Sequence, residues 1–114
     1  MAQISGVRLA PDFSFVETSE GRRIAFTRSE KRVLSALAGH PGRLLTRDQL
    51  LDAIAGPGSD KSDRNIDFLI NRLRHKLADD ARNPRFIATR YGEGYIWIGG
   101  KTGIVADYAD AYVV

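Results

Sequence analysis

Residues 64–77 read RNIDFLINRLRHKL. Placed at about 100° per residue, Ile66, Ile70, Leu73 and Leu77 fall within roughly 60° of one another, one apolar stripe at helical spacing. Arg64, Phe68, Asn71, Arg72 and His75 fall on the opposite face, and Leu69, Arg74 and Lys76 lie on the flanks. The spacing predicts a helix from Arg64 to Leu77 with Asp63 as its cap. Asp79-Asp80 and the Asn83-Pro84 turn end it. Such a helix has an apolar back to dock on a domain and a polar front to face a partner.

Two shorter helices are expected upstream. Thr27 or Ser29 can cap the first, with Glu30 in its first turn, where a carboxylate suits the dipole. Val33, Leu34 and Leu37 form its stripe, and Gly39-His40-Pro41-Gly42 stops it. Thr46-Arg47-Asp48-Gln49 is a capping-box pattern that opens a second helix through Leu50, Leu51 and Ile54. Before residue 27 the pattern is that of strands and turns. Val7-Arg8-Leu9, Phe13 to Val16 and Arg23 to Phe26 suggest an antiparallel meander, with Ser19-Glu20-Gly21 as a hairpin turn. After the long helix, Phe86 to Arg90 and Gly94 to Ile98 return to period two, joined by Tyr91-Gly92-Glu93-Gly94. Residues 1–98 are therefore read as one domain, and 99–114 as a tail or the start of a linker.

The chain has 114 residues, enough for one domain with a core of its own. It has no cysteine, which excludes disulfides, thiolate metal sites and a cysteine nucleophile. This fits a reducing cytosol, the expected location. No apolar run nears the roughly 18 residues needed to span a bilayer, and the first residues lack the apolar core of a secretory signal. The formal charge is +3, a mild bias whose distribution says more. From Lys61 to Tyr91 there are eight Lys/Arg against four carboxylates, Asp63, Asp67, Asp79 and Asp80. Positive charge gathered on one element is the footprint of a polyanion binder; a solvated helix face is the plain alternative.

Two short helices, a longer basic one and a hairpin make an α+β winged helix-turn-helix. The major groove admits an α-helix, arginine is the usual reader of guanine, and asparagine pairs with adenine. Arg64, Asn71, Arg72 and Arg74 supply such donors, and His75 can touch phosphate. Thr46 and Arg47 stand at the start of the second helix, where backbone N–H groups can hold a phosphate. Thr89, Arg90 and Tyr91 lie near the hairpin tip, within reach of a minor groove or the backbone.

At these residues the chain resembles the effector domains of OmpR/PhoB-type response regulators. Arg64-Asn65-Ile66-Asp67, Ile70 and Leu73-Arg74-His75-Lys76-Leu77 match the family's third-helix signature. Ile87 to Tyr95 looks like its wing. Phe26-Thr27-Arg28-Ser29-Glu30 through Leu34, and Gly42 to Leu50, match its first helix and second-helix cap. The likeness covers about residues 7–98. It implies a four-stranded N-terminal sheet packed on three helices. It also implies two-component signalling, binding to duplex DNA as dimers on direct-repeat half-sites, and a 55–62 loop that touches RNA polymerase. Arg64, Asn71, Arg72 and Arg74 would face DNA from the helix, with Thr89 and Arg90 or Tyr91 from the wing.

The chain departs from the family in three ways. The family's wing carries a basic residue directly before the glycine, but here that residue is Tyr91 and the arginine is Arg90, which strand alternation turns to the other face. Leu69 stands where members carry a polar residue near the bases, and it or Phe68 is expected to meet a thymine methyl. No receiver-type segment precedes the motifs within these residues: either the sequence is a piece of a longer protein, or the input is expected from elsewhere, such as a domain beyond Val114. Phe13, Phe15, Phe26 and Trp97 are expected in the core. Asp67 is read either as a partner for Arg64 or a neighbouring arginine or as plain surface charge. Two histidines and no cysteine make a zinc site improbable, no catalytic motif is present, and no cofactor is expected. The rival reading is a winged helix used for protein–protein contact, which predicts an apolar front on the third helix.

Overall fold

The computed structural model describes residues 7–55 and 65–99. The chain enters as three strands, β1 (Val7–Leu9), β2 (Phe15–Thr18) and β3 (Arg23–Ala25), antiparallel in the order β1-β2-β3. Their register sets Arg8, Glu17 and Arg23 side by side. Glu17 takes both arginines, at 2.7 Å from Arg8 and 3.1 Å from Arg23, while Leu9 and Val16 turn to the core. Period-two alternation thus separates a charged face from a buried one.

The sheet differs from expectation in two ways. Three strands, not four, are present among the described residues. β2 also starts at Phe15, not Phe13, because Phe13 has a φ of 61° and closes a turn onto the Ala10 carbonyl at 2.9 Å. Phe13 and Phe15 are half-buried, the latter under Arg23, whereas Phe26 and Trp97 are core residues.

α1 (Arg28–Ala38) starts at Thr27, whose side chain and that of Glu30 form a complete capping box. A two-residue strand, β4 (Leu44–Leu45), leads into α2 (Arg47–Ile54), and Thr46 with Gln49 forms the second box. α3 spans Ile66–Leu77 and is capped by Asn65, whose Oδ1 accepts the Phe68 N–H at 3.0 Å. The helix therefore begins two residues later than its periodicity suggested. Asn65, not Asp63, is the cap, because only a residue directly before the first turn can reach the N–H three positions on. Arg64, the 56–62 part of the loop and the 100–114 tail lie outside the described residues.

β5 (Ile87–Arg90) and β6 (Gly94–Trp97) form the wing hairpin. β4 pairs with β6 (Leu44 to Ile96, Leu45 to Tyr95), so the wing is a three-stranded sheet of order β4-β6-β5. Two residues are too few to show alternation, which is why Leu44-Leu45 read only as an apolar step. The sheet packs tightly at Gly94: its φ is 152°, and a Cβ there would lie 2.1 Å from the Leu45 carbonyl oxygen. One core joins all of this, with Val33, Leu34 and Leu37 of α1, Leu50 of α2, Ile66, Ile70, Leu73 and Leu77 of α3, and Trp97 of β6.

α3 ends on Ala78, which adopts a left-handed conformation (φ 56°, ψ 39°), and the Asp79 N–H returns to the Arg74 carbonyl at 2.8 Å. Left-handed backbone costs an L-residue about 1–2 kcal/mol, and glycine gives back about 0.4–1 kcal/mol through its freer unfolded chain. Ala78→Gly should therefore raise stability by roughly 0.5–1 kcal/mol in urea unfolding; a lower midpoint would contradict the strain.

Candidate nucleic-acid interface

Phe68, Asn71, Arg72 and His75 follow the spacing i, i+3, i+4, i+7 and share one face of α3. Phe68 is 56% exposed. Asn71 and His75 are exposed, and Arg72 is partly so. The Arg72 guanidinium lies 5.7 Å from the Phe68 ring centroid. Leu69, expected near this face, is buried in the core instead. It follows Ile66 by three positions and precedes Leu73 by four, so it widens the apolar stripe rather than leaving it.

Behind this face sits Glu30, fully buried at the first turn of α1. Its Oε1 accepts Lys76 Nζ at 2.6 Å and the Thr27 N–H at 2.7 Å, and its Oε2 lies 3.0 Å from Arg72 Nε. Lys76 also donates to the Ala25 carbonyl at 2.9 Å. Burial pushes the Glu30 carboxyl upward. The bonds from Lys76 and Thr27 and the charges of Lys76 and Arg72 outweigh it, and the group rests below its ordinary value. Two of the cations on α3 are thus tied to α1.

The third, Arg74, corrects an expectation. It does not face outward: it is 7% exposed. Its Nη2 donates to the Ile87 carbonyl at 2.8 Å and to the Thr89 hydroxyl at 2.7 Å, and its guanidinium lies 5.7 Å from the Tyr95 ring centroid. An arginine on a helix flank has the reach to bury its stem and satisfy its head on the wing backbone. Thr89 is thereby turned toward α3, half-buried.

A second link runs through Asp67, in the first turn of α3. Its Oδ1 accepts Arg47 Nε at 2.8 Å and the Tyr95 hydroxyl. The hydrogen bonds from Tyr95 and Arg47 hold the Asp67 carboxyl below its ordinary value, and burial followed by the Asp67 bond raises the Tyr95 phenol. Asp67 is thus paired with an arginine from α2, twenty positions upstream. Thr46 spends its hydroxyl on the Gln49 N–H at 3.1 Å. Arg90 and Tyr91 are exposed at the wing tip.

Reading by residue type missed Glu30, Lys76 and Tyr95 as the parts that position this face. Only the Thr27-to-Glu30 spacing was a local signal, and it pointed to a cap, not to partners on α3. Among the described residues no group of three or more His, Asp or Glu is placed to hold a metal, and no helix is long and apolar enough to cross a membrane.

The family described as "Transcriptional regulatory protein, C terminal" matches residues 21–97. The transcriptional regulatory protein AruR of Pseudomonas aeruginosa is 42% identical over 77 residues, 68% of this chain and 32% of AruR. The chain thus spans about a third of that relative's length. Among solved structures, the DNA-binding domain of RstA from Klebsiella pneumoniae, in complex with the RstA box, matches with a TM-score of 0.62 at 29% identity, over 87% of this chain and 97% of that one. The response regulator DrrB of Thermotoga maritima, an OmpR/PhoB homologue, matches with a TM-score of 0.58 at 30% identity, over 82% of this chain and 45% of that one.

Glu30 and Asp67 are both held below their ordinary values, 4.5 and 3.8. The unfolded chain therefore takes up protons first as pH falls. Their stabilisation is present above those ordinary values and is lost as pH drops through the lowered folded-state values. Glu30→Gln keeps the capping geometry, as Gln49 does in α2, but removes the charge that Lys76 and Arg72 share. It should cost about 3 kcal/mol at neutral pH and flatten the acid side of the stability profile. An unchanged acid limb in a pH series of urea melts would show that Glu30 does not set it.

Proposed function

As the chain belongs to the family of winged-helix effector domains of response regulators, we propose that it binds duplex DNA sequence-specifically as a bacterial transcription regulator. α3 lies in the major groove and the wing lies on the adjacent minor groove or backbone. The observation that carries this is the front of α3. Asn71, Arg72 and His75 stand on it beside Phe68 alone, while every other large apolar residue of the helix is buried. A protein-docking face would be apolar; this one presents hydrogen-bonding groups and one ring able to meet a thymine methyl.

Roles divide by exposure. Asn71 and Arg72 read base edges, Phe68 takes a methyl, and His75 and Arg47 face phosphate. Arg74 and Thr89 act from within, by fixing the wing. Thr46 caps α2 at the entry to the helix-turn-helix, Arg64 is a further DNA-contacting residue, and residues 1–98 form the reading unit. Two copies on direct-repeat half-sites, with the 55–62 loop turned to RNA polymerase, complete the proposal, which places the chain in the cytoplasm and requires no cofactor.

Binding measured by anisotropy on random duplex at two salt concentrations should weaken as salt rises, because neutralised phosphates release counterions. No binding at low salt would favour the protein-contact reading. Asn71→Ala should cost about 1–3 kcal/mol on a duplex selected from a random pool and far less on unselected DNA. Its melting temperature should not move, since Asn71 is exposed. Equal losses on both duplexes would reduce Asn71 to a non-specific contact.

A further inference from the structure

Tyr91 is 91% exposed at the tip of the wing. The tip itself is firmly built. Arg90 pairs with Gly94, the Glu93 N–H donates to the Arg90 carbonyl at 2.9 Å, and Gly92 supplies the positive φ of 77° that the turn needs. Below the tip, Gly94 is packed on Leu45, the Tyr95 hydroxyl is bonded to Asp67, and the Thr89 hydroxyl is bonded to Arg74. The hairpin cannot swing away from α3 without breaking these contacts. A tyrosine on such a stem offers a large contact area with only two side-chain torsions to immobilise.

Charge does not explain the tip. Arg90 and Glu93, both exposed, cancel formally, so the tip adds no net attraction for phosphate. What it offers is a ring face and one phenolic O–H. In the minor groove, A·T pairs present only the acceptors adenine N3 and thymine O2, whereas a guanine adds an amino group on the groove floor. A phenol can donate to those acceptors where the floor is clear and meets the amino group where it is not.

We propose that Tyr91 is a specificity-determining residue that enters the minor groove beside the α3 site and selects A·T pairs there, through its hydroxyl and ring rather than through charge. The proposal rests on the DNA-binding reading above.

The test uses the full chain and a duplex selected from a random pool. Tyr91→Ala should weaken binding roughly tenfold, the scale of one lost base contact, with the salt slope unchanged. Tyr91→Arg should steepen that slope by about 0.9, the share of one added phosphate contact. Each A·T pair flanking the α3 footprint is then exchanged in turn for G·C or for inosine·C, which keeps the A·T minor-groove edge while presenting the G·C major-groove edge. At one position G·C should weaken the unaltered chain roughly tenfold, inosine·C should be tolerated, and Tyr91→Ala should be indifferent to either exchange. The proposal falls if Tyr91→Ala binds as tightly as the unaltered chain, or if inosine·C is as damaging as G·C. If Asn71→Ala still loses affinity on that duplex, only the role of Tyr91 has failed; if the unaltered chain binds no duplex, the DNA-binding reading has failed with it.

Discussion

A single buried carboxylate ties this domain together. Glu30 sits where α1 begins, with no exposed surface, and an isolated charge there would be prohibitively costly. It is tolerated because three groups converge on its carboxylate: the Thr27 N–H, Lys76 Nζ and Arg72 Nε. The cap that starts α1 is thus also the clamp that sets α3 against α1. The rotation of α3 about its axis is fixed by two cations four residues apart, and that rotation decides which side chains are left facing outward.

The wing extends the same logic. A lone hairpin is marginal in water, yet this one is fastened at three levels. β4 gives it a third strand and runs directly into the cap of α2. Arg74 bonds its edge strand β5 from α3, and Asp67 joins Tyr95 to Arg47. Asp79 adds a fourth fastening, accepting the N–H groups of Arg85, Phe86 and Ile87 where the chain leaves α3 for β5. Helix and wing are therefore bonded to each other at several points, which limits the ordering that binding requires.

The back of α3 was legible because its signal is local. Ile66, Ile70, Leu73 and Leu77 repeat at helical spacing, and each is buried. Both capping boxes were open to the same kind of reading, although only the second was read as a box. What periodicity cannot carry is partnership at long range. Arg74 read as a surface donor because arginine on a flank usually is one. Its partners lie 13 and 15 positions downstream, and Lys76 meets Glu30 across 46. Leu69 failed for the opposite reason: its position was judged by likeness to relatives, when its own apolar character and its spacing from Ile66 and Leu73 already assigned it to the core. β4 was too short to carry any pattern.

These internal ties also limit how the domain can attract DNA. Of the three cations from Arg72 to Lys76, Lys76 and Arg74 are committed to the protein, and Arg72 is half committed through Nε. Arg47 is shared with Asp67. A cation already paired with a carboxylate releases little by meeting a phosphate, because one ionic contact replaces another. The net charge of +3 therefore overstates the pull of the α3 face. The surface that remains is small, mixed and rigidly held, with Asn71 and part of Arg72 beside an exposed ring. Of the arginines on α3 that read as surface donors in the sequence, Arg74 is spent on the wing and Arg72 is partly spent on Glu30.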